Sequence, residues 1–159
     1  MGNSFGSSQS PEDIIREALQ ELVNLSLEEK LEDAGKYFAA IWPELRRLDP
    51  EYDGKILLYY ILGTAAGADG GLTEDEAAMV NAVMSAIDVE WDVEDTVKMM
   101  RNVANNDGYE TVKNLVRAFN PDLTSDLISF IATICAIDDR VKASEQQFII
   151  DLVEASAEQ

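Results

Sequence analysis

From residue 10 onward, apolar side chains recur at three-and-four spacing along most of the chain, the period of helices that bury one face. Ser10-Pro11-Glu12-Asp13 sets a capping hydroxyl before a proline at the first helical position, and Ile14, Ile15, Ala18, Leu19, Leu22 and Val23 follow as one stripe. Ser26-Leu27-Glu28-Glu29 has the form of a capping box and opens a second amphipathic stretch with Leu27, Leu31, Ala34, Phe38 and Ile41 inward. Pro43 is expected to break or kink this helix, leaving a short helical turn through Leu45 and Leu48. Residues 49–54 read as a connection, and 56–68 are too apolar for a surface helix, which predicts a place at the centre of a bundle.

After the break at Asp69-Gly70-Gly71, Thr73 caps a helix reaching about residue 87, with Ala77, Val80, Val83, Met84 and Ile87 inward. Amphipathic stretches at 93–103 and 109–119 follow, separated by the turn Asn105-Asn106-Asp107-Gly108. Pro121 starts a unit that is apolar nearly all round over 123–137, and Ser144 is expected to open a last helix through Phe148, Ile149 and Leu152. No run of four or more residues alternates as a strand would, so the fold class is all-α. The chain reads as a flexible tail at 1–10 and a single-domain bundle of about seven or eight helices at 11–159.

The pattern repeats. A shift of 69 residues lays 60–84 over 129–153 without a gap, matching Thr64 with Thr133, Asp69 with Asp138, Leu72 with Val141 and Glu76 with Glu145. Met79, Val80 and Val83 fall on Phe148, Ile149 and Leu152, so each copy reads as a buried helix, an acidic loop and a second helix returning against the first. In each copy an Asp ends the first helix and a Glu stands seven residues on, in the opening turn of the second. Such a loop can offer a divalent cation two carboxylates, backbone carbonyls and, in the first copy, the Thr73 hydroxyl with Glu74 and Asp75. It is not an EF-hand, because Gly71 and Thr73 stand where the next oxygen ligands belong and no glutamate closes a twelve-residue loop. The second copy carries Asp139 in place of a loop glycine, with Arg140 and Lys142 beside it, and is the poorer cation site. A plainer alternative gives the same residues to helix initiation: Thr73-Glu74-Asp75-Glu76 is a capping box by type, and first-turn acids favour the helix dipole.

Composition narrows the partners. With 12 Lys and Arg against 31 Asp and Glu the formal charge is −19, which repels phosphate backbones and anionic headgroups, so nucleic acid is not an expected partner. Metal cations and basic protein patches suit such a surface. There is no histidine, and the one cysteine, Cys135, lies in an apolar run, which removes the commonest general base and the best nucleophile. The reading is non-enzymatic. Glu-x-x-His pairs of a di-metal redox site are likewise absent. No apolar stretch is long enough to span a bilayer, no signal-peptide core begins the chain, and the opening Met1-Gly2 sequence has Gly6 where a myristoylation signal needs Ser or Thr. A cytoplasmic location without direct membrane insertion is expected.

The segment Ala65-Ala66-Gly67-Ala68-Asp69-Gly70-Gly71-Leu72-Thr73-Glu74-Asp75-Glu76 and its echo from Ala136 to Glu145 resemble the paired acidic motifs of the TerB-like (tellurite resistance) family, over about residues 56–154. The resemblance implies an all-helical domain of bacterial tellurite and stress-resistance systems, also found in membrane-anchored DnaJ-type co-chaperones. Its acidic residues are proposed ligands of a divalent cation, calcium-like. Carried onto this chain, those metal ligands are Asp69, Glu76, Asp138 and Glu145. Asp139 departs from the family's glycine, and the first fifty or so residues are unmatched. The competing reading is an adaptor whose acidic surface or hydrophobic groove holds a basic or amphipathic segment of a protein partner, with Trp42, Tyr59, Tyr60 and Trp91 as candidate contacts if exposed.

Overall fold

The computed structural model describes residues 10–66, 73–86, 108–138 and 141–159, with Glu94, Lys98 and Asn102 at single positions between them. The described residues hold seven α-helices and no strand: α1 (Pro11–Val23), α2 (Leu27–Leu48), α3 (Lys55–Ala66), α4 (Glu74–Ala86), α5 (Gly108–Ala118), α6 (Thr124–Cys135) and α7 (Ala143–Ser156), with a 3-10 turn at Pro121–Leu123. Glu94, Lys98 and Asn102, spaced by four, are helical and exposed; the rest of the stretch at 93–103 lies outside the described residues, as do the tail at 1–9 and the turn at 105–107.

The helix starts follow from local chemistry. Ser10 Oγ accepts the Asp13 N–H at 3.2 Å ahead of Pro11, and Ser26 and Glu29 complete a reciprocal capping box at 3.1 Å each way. Against expectation, α2 runs unbroken through Pro43 to Leu48. Pro43 is exposed, so its ring stands clear of the core, while Ile41, Glu44 and Leu45 on either side are buried and hold the helix against its neighbours. Glu44, only 5% exposed, accepts Arg47 through Nε at 2.6 Å and Nη2 at 2.7 Å, and the Asn120 N–H at 2.9 Å. That bonding pins the stretch after the proline to the start of the 3-10 turn, which packing periodicity alone does not reveal.

Helices α2, α3 and α4 correspond in order to α5, α6 and α7, and the packing has the same pseudo-twofold plan. The two most apolar helices, α3 and α6, pack on each other at the centre; α4 lies on α2 as α7 lies on α5; and α2 and α5 each cross to the other set, α2 onto α6 and α5 onto α3. Phe38 of α2 meets Phe130 of α6 with ring centroids 5.6 Å apart, and Trp42 extends the cluster at 5.3 Å from Phe38. The second hairpin closes as expected, α7 against α6. In the first, α4 takes α2 as its main partner rather than returning on α3. The reason lies in α2, whose long buried face offers α4 more apolar surface than α3, already covered by α5 and α6.

Helix α1 is the loosest layer. Of the stripe expected inward, Leu19 alone is fully buried; Ile15, Leu22 and Val23 are half-buried, Ala18 is exposed and Ile14 is 54% exposed. Trp42, Tyr59 and Tyr60 are half-buried against the core rather than solvent-facing, and Trp91 lies outside the described residues.

Candidate functional site

Residues at the edges of the two acidic segments come together. Thr73, at the N-cap of α4, donates its hydroxyl to Asp138 Oδ1 at 3.0 Å, a contact between residues 65 apart in sequence. The same hydroxyl oxygen accepts the Glu76 N–H at 3.1 Å, and Glu76 Oε1 accepts the Thr73 N–H at 3.0 Å, so the expected capping box is complete. In the second copy Glu145 Oε1 accepts the Lys142 N–H at 3.0 Å. The cap there is Lys142, not Ser144, which sits inside the first turn of α7. An ammonium has no acceptor to return, so this box is only half formed. The register of the repeat nonetheless holds, since Thr73 and Lys142 are equivalent caps and Glu76 and Glu145 equivalent third helical residues.

Glu76 is 7% exposed, and burial raises its pKa; the Thr73 hydrogen bonds oppose the rise, and the negative charges of Asp138 and then Glu145 add to it. Glu145 is shifted upward as well, first by burial and lastly by Asp138, against the Lys142 N–H, the Lys142 charge and the Cys135 thiol. Three carboxyl groups thus feel one another across the two loops. Cys135 is wholly inside: its thiol reaches the Ala65 carbonyl at 3.7 Å, and burial followed by the Glu145 charge holds its pKa well above the ordinary thiol value. It is a packed side chain, as its apolar run suggests.

Among the expected ligands, then, Glu76, Asp138 and Glu145 share one electrostatic neighbourhood, while Asp69 lies outside the described residues. Asp138 stands in the turn beyond α6 and is exposed, rather than ending the helix. Among the described residues, no three carboxylate or thiol groups converge closely enough to hold a metal ion. The donor chemistry fits a hard cation, being oxygen throughout; Glu76, Asp138 and Glu145 each commit one carboxylate oxygen to a hydrogen bond and have a second.

Comparison with known protein families, characterised proteins and solved structures returns no match.

Sequence reasoning left two features unread. The meeting of Thr73 with Asp138 is one; its signal is that 56–68 and 123–137 are both apolar nearly all round, so both segments belong at the centre. Lys30 is the other, 0% exposed near the start of α2. It falls three residues after Leu27 and four before Ala34, on the stripe assigned to the core.

Proposed function

We propose that the protein is a non-enzymatic helical module that binds one divalent cation, calcium-like, in a single site shared by its two acidic loops. The observation that carries this reading is the Thr73–Asp138 hydrogen bond, which joins the loops and sets Glu76 among like charges. Crowded carboxylates with raised pKa values are relieved by a cation at least as well as by a proton. Binding would have to draw together Glu76, Asp138 and Glu145, which do not converge on one point in the structure, with Asp69 as a fourth carboxylate and backbone carbonyls and water completing the six to eight oxygens that calcium takes. When bound, the ion would lock the loops together; the chain's own residues cap α4 and α7 with or without it. Stress or tellurite resistance as the setting rests on the motif resemblance alone.

Calorimetric titration of chelator-treated protein with calcium, magnesium and zinc tests this, at moderate salt so that diffuse attraction to the acidic surface is screened. The expected result is one saturable ion per chain, weakened at least tenfold in Glu76→Gln and in Asp138→Asn, each of which keeps an oxygen for the hydrogen bond. Two independent ions would replace the shared site with separate ones. Binding that is absent, or unchanged in both variants, would leave these acids as helix caps.

A second reading, the adaptor for a basic or amphipathic segment, is favoured by a separate observation: a cleft of about 440 Å³ between α1 and the bundle, lined mainly by apolar side chains.

A further inference from the structure

The cleft runs between the inner face of α1 and helices α6 and α7, with Tyr37 of α2 at one wall. Its volume of about 440 Å³ falls in the range of genuine binding pockets. Leu19 and Leu22 line the α1 side, Ile128 and Ala132 the α6 side, and Ile149 and Val153 the α7 side. Among the described residues, Glu21 is the one charged side chain in its wall. Glu17, exposed, stands one turn before Glu21 on α1, and Asp33 one turn before Tyr37 on α2, adding negative charge along the two helices that carry these wall residues. Apolar floor and acidic edge together select the occupant. Fatty acids, phospholipids and other anionic amphiphiles meet both this rim and the net charge of −19. A segment carrying Lys or Arg beside its apolar side chains meets attraction at both.

We propose that this cleft is a docking site for an amphipathic helix with a basic polar face, supplied by a partner protein, which inserts large apolar side chains at i, i+3 or i+4 and i+7 between α1 and α6. The loose packing of α1 is what leaves room for it: Ile15, Ala18, Leu19 and Leu22 line the cleft, yet Leu19 alone of them is fully buried and Ala18 remains exposed. The proposal stands apart from cation binding, because among the described residues Glu76, Asp138 and Glu145 do not line the cleft.

The test uses the full chain and a fluorescein-labelled 18-residue peptide of Leu and Lys arranged as an amphipathic helix, read by fluorescence anisotropy at about physiological salt. Two controls accompany it, a scrambled peptide of the same composition and one with Glu in place of Lys. We expect saturable binding of the helical basic peptide alone. Ala18→Phe, at an exposed position that fills the cleft, should weaken it at least tenfold with the circular dichroism spectrum unchanged. The double variant Glu17→Lys, Glu21→Lys should weaken it severalfold and flatten its salt dependence. Equal binding of the scrambled peptide would reduce the effect to diffuse acidity and overturn the proposal. So would an affinity unmoved by Ala18→Phe, tight binding of the acidic peptide, or self-association of the wild type that Ala18→Phe abolishes, which would assign the cleft to a second copy of the chain.

Discussion

At the residue scale, the connection between α2 and α3 shows how tightly one position can be constrained. Asp53 and Gly54 both take positive φ, 55° and 83°, and Gly54 donates its N–H to the Asp49 carbonyl at 2.9 Å while Asp49 Oδ2 accepts the Ile56 N–H at 3.2 Å. A Cβ at Gly54 would stand 2.9 Å from Trp42 Cζ3 and 3.1 Å from the Arg46 nitrogen. Substitution therefore meets an unfavourable backbone conformation and a clash with both an indole and backbone. Gly54→Ala should lower stability by about 1–3 kcal/mol, read as a lower chemical-denaturation midpoint with an unchanged slope. The sequence marks 49–54 as a connection, but only the seating of Trp42 over it shows that this glycine has no substitute.

Among the elements, α2 is the clearest case of packing overriding a local breaker. Pro43 removes a backbone donor from the middle of a 22-residue helix, yet the helix continues because buried contacts and the Glu44–Arg47–Asn120 bonding hold both sides in line. Pro43→Ala at this exposed site should restore the missing bond and raise stability, by at most about 3 kcal/mol, since the proline also restricts the unfolded chain. A raised thermal midpoint is the check; a lowered one would mean that the proline's shape is itself used. The starts of α1, α2 and α4 were legible because Ser10, Ser26 and Thr73 act through bonds at most three residues long. The start of α7 was not, because Ser144 is the better capping residue by type, while the repeat register and the Glu145–Lys142 bond place the boundary at Lys142.

For the molecule as a whole, charge and topology each yield a prediction. Glu76 and Glu145 have pKa values raised above the ordinary carboxylate value of 4.5, so the folded state takes up their protons before the unfolded state does, and stability rises as pH falls through that window. Glu44 is opposite in sign: the Arg47 hydrogen bonds hold its pKa below 4.5, and the stability it contributes above that pH is lost below it. Relief of self-repulsion at a net charge of −19 acts in the same direction as the raised pair. The thermal midpoint should therefore climb as pH is lowered from about 7 toward 5 and fall below about 4.5. Glu76→Gln should flatten the climb, and bound calcium, which favours the ionised form, should reverse it. Topology predicts that residues 56–154 alone will not fold cooperatively, because they lack α2, which covers both α4 and α6. A broad, non-cooperative melt of that fragment beside a sharp one for the full chain would bear this out, whereas a sharp melt of the fragment would show that α2 is an accessory.

What the sequence determined by itself is what short-range physics controls: the all-α class, most helix boundaries, the central place of the two most apolar segments and the burial of Cys135, each set by periodicity or by bonds a few residues long. The tertiary structure decided what depends on which faces compete for apolar cover. That competition carried α2 through Pro43, drew α4 onto α2, and left α1 standing off the bundle over a cleft. It also brought Thr73 to Asp138, turning two separate acidic loops into one charged neighbourhood.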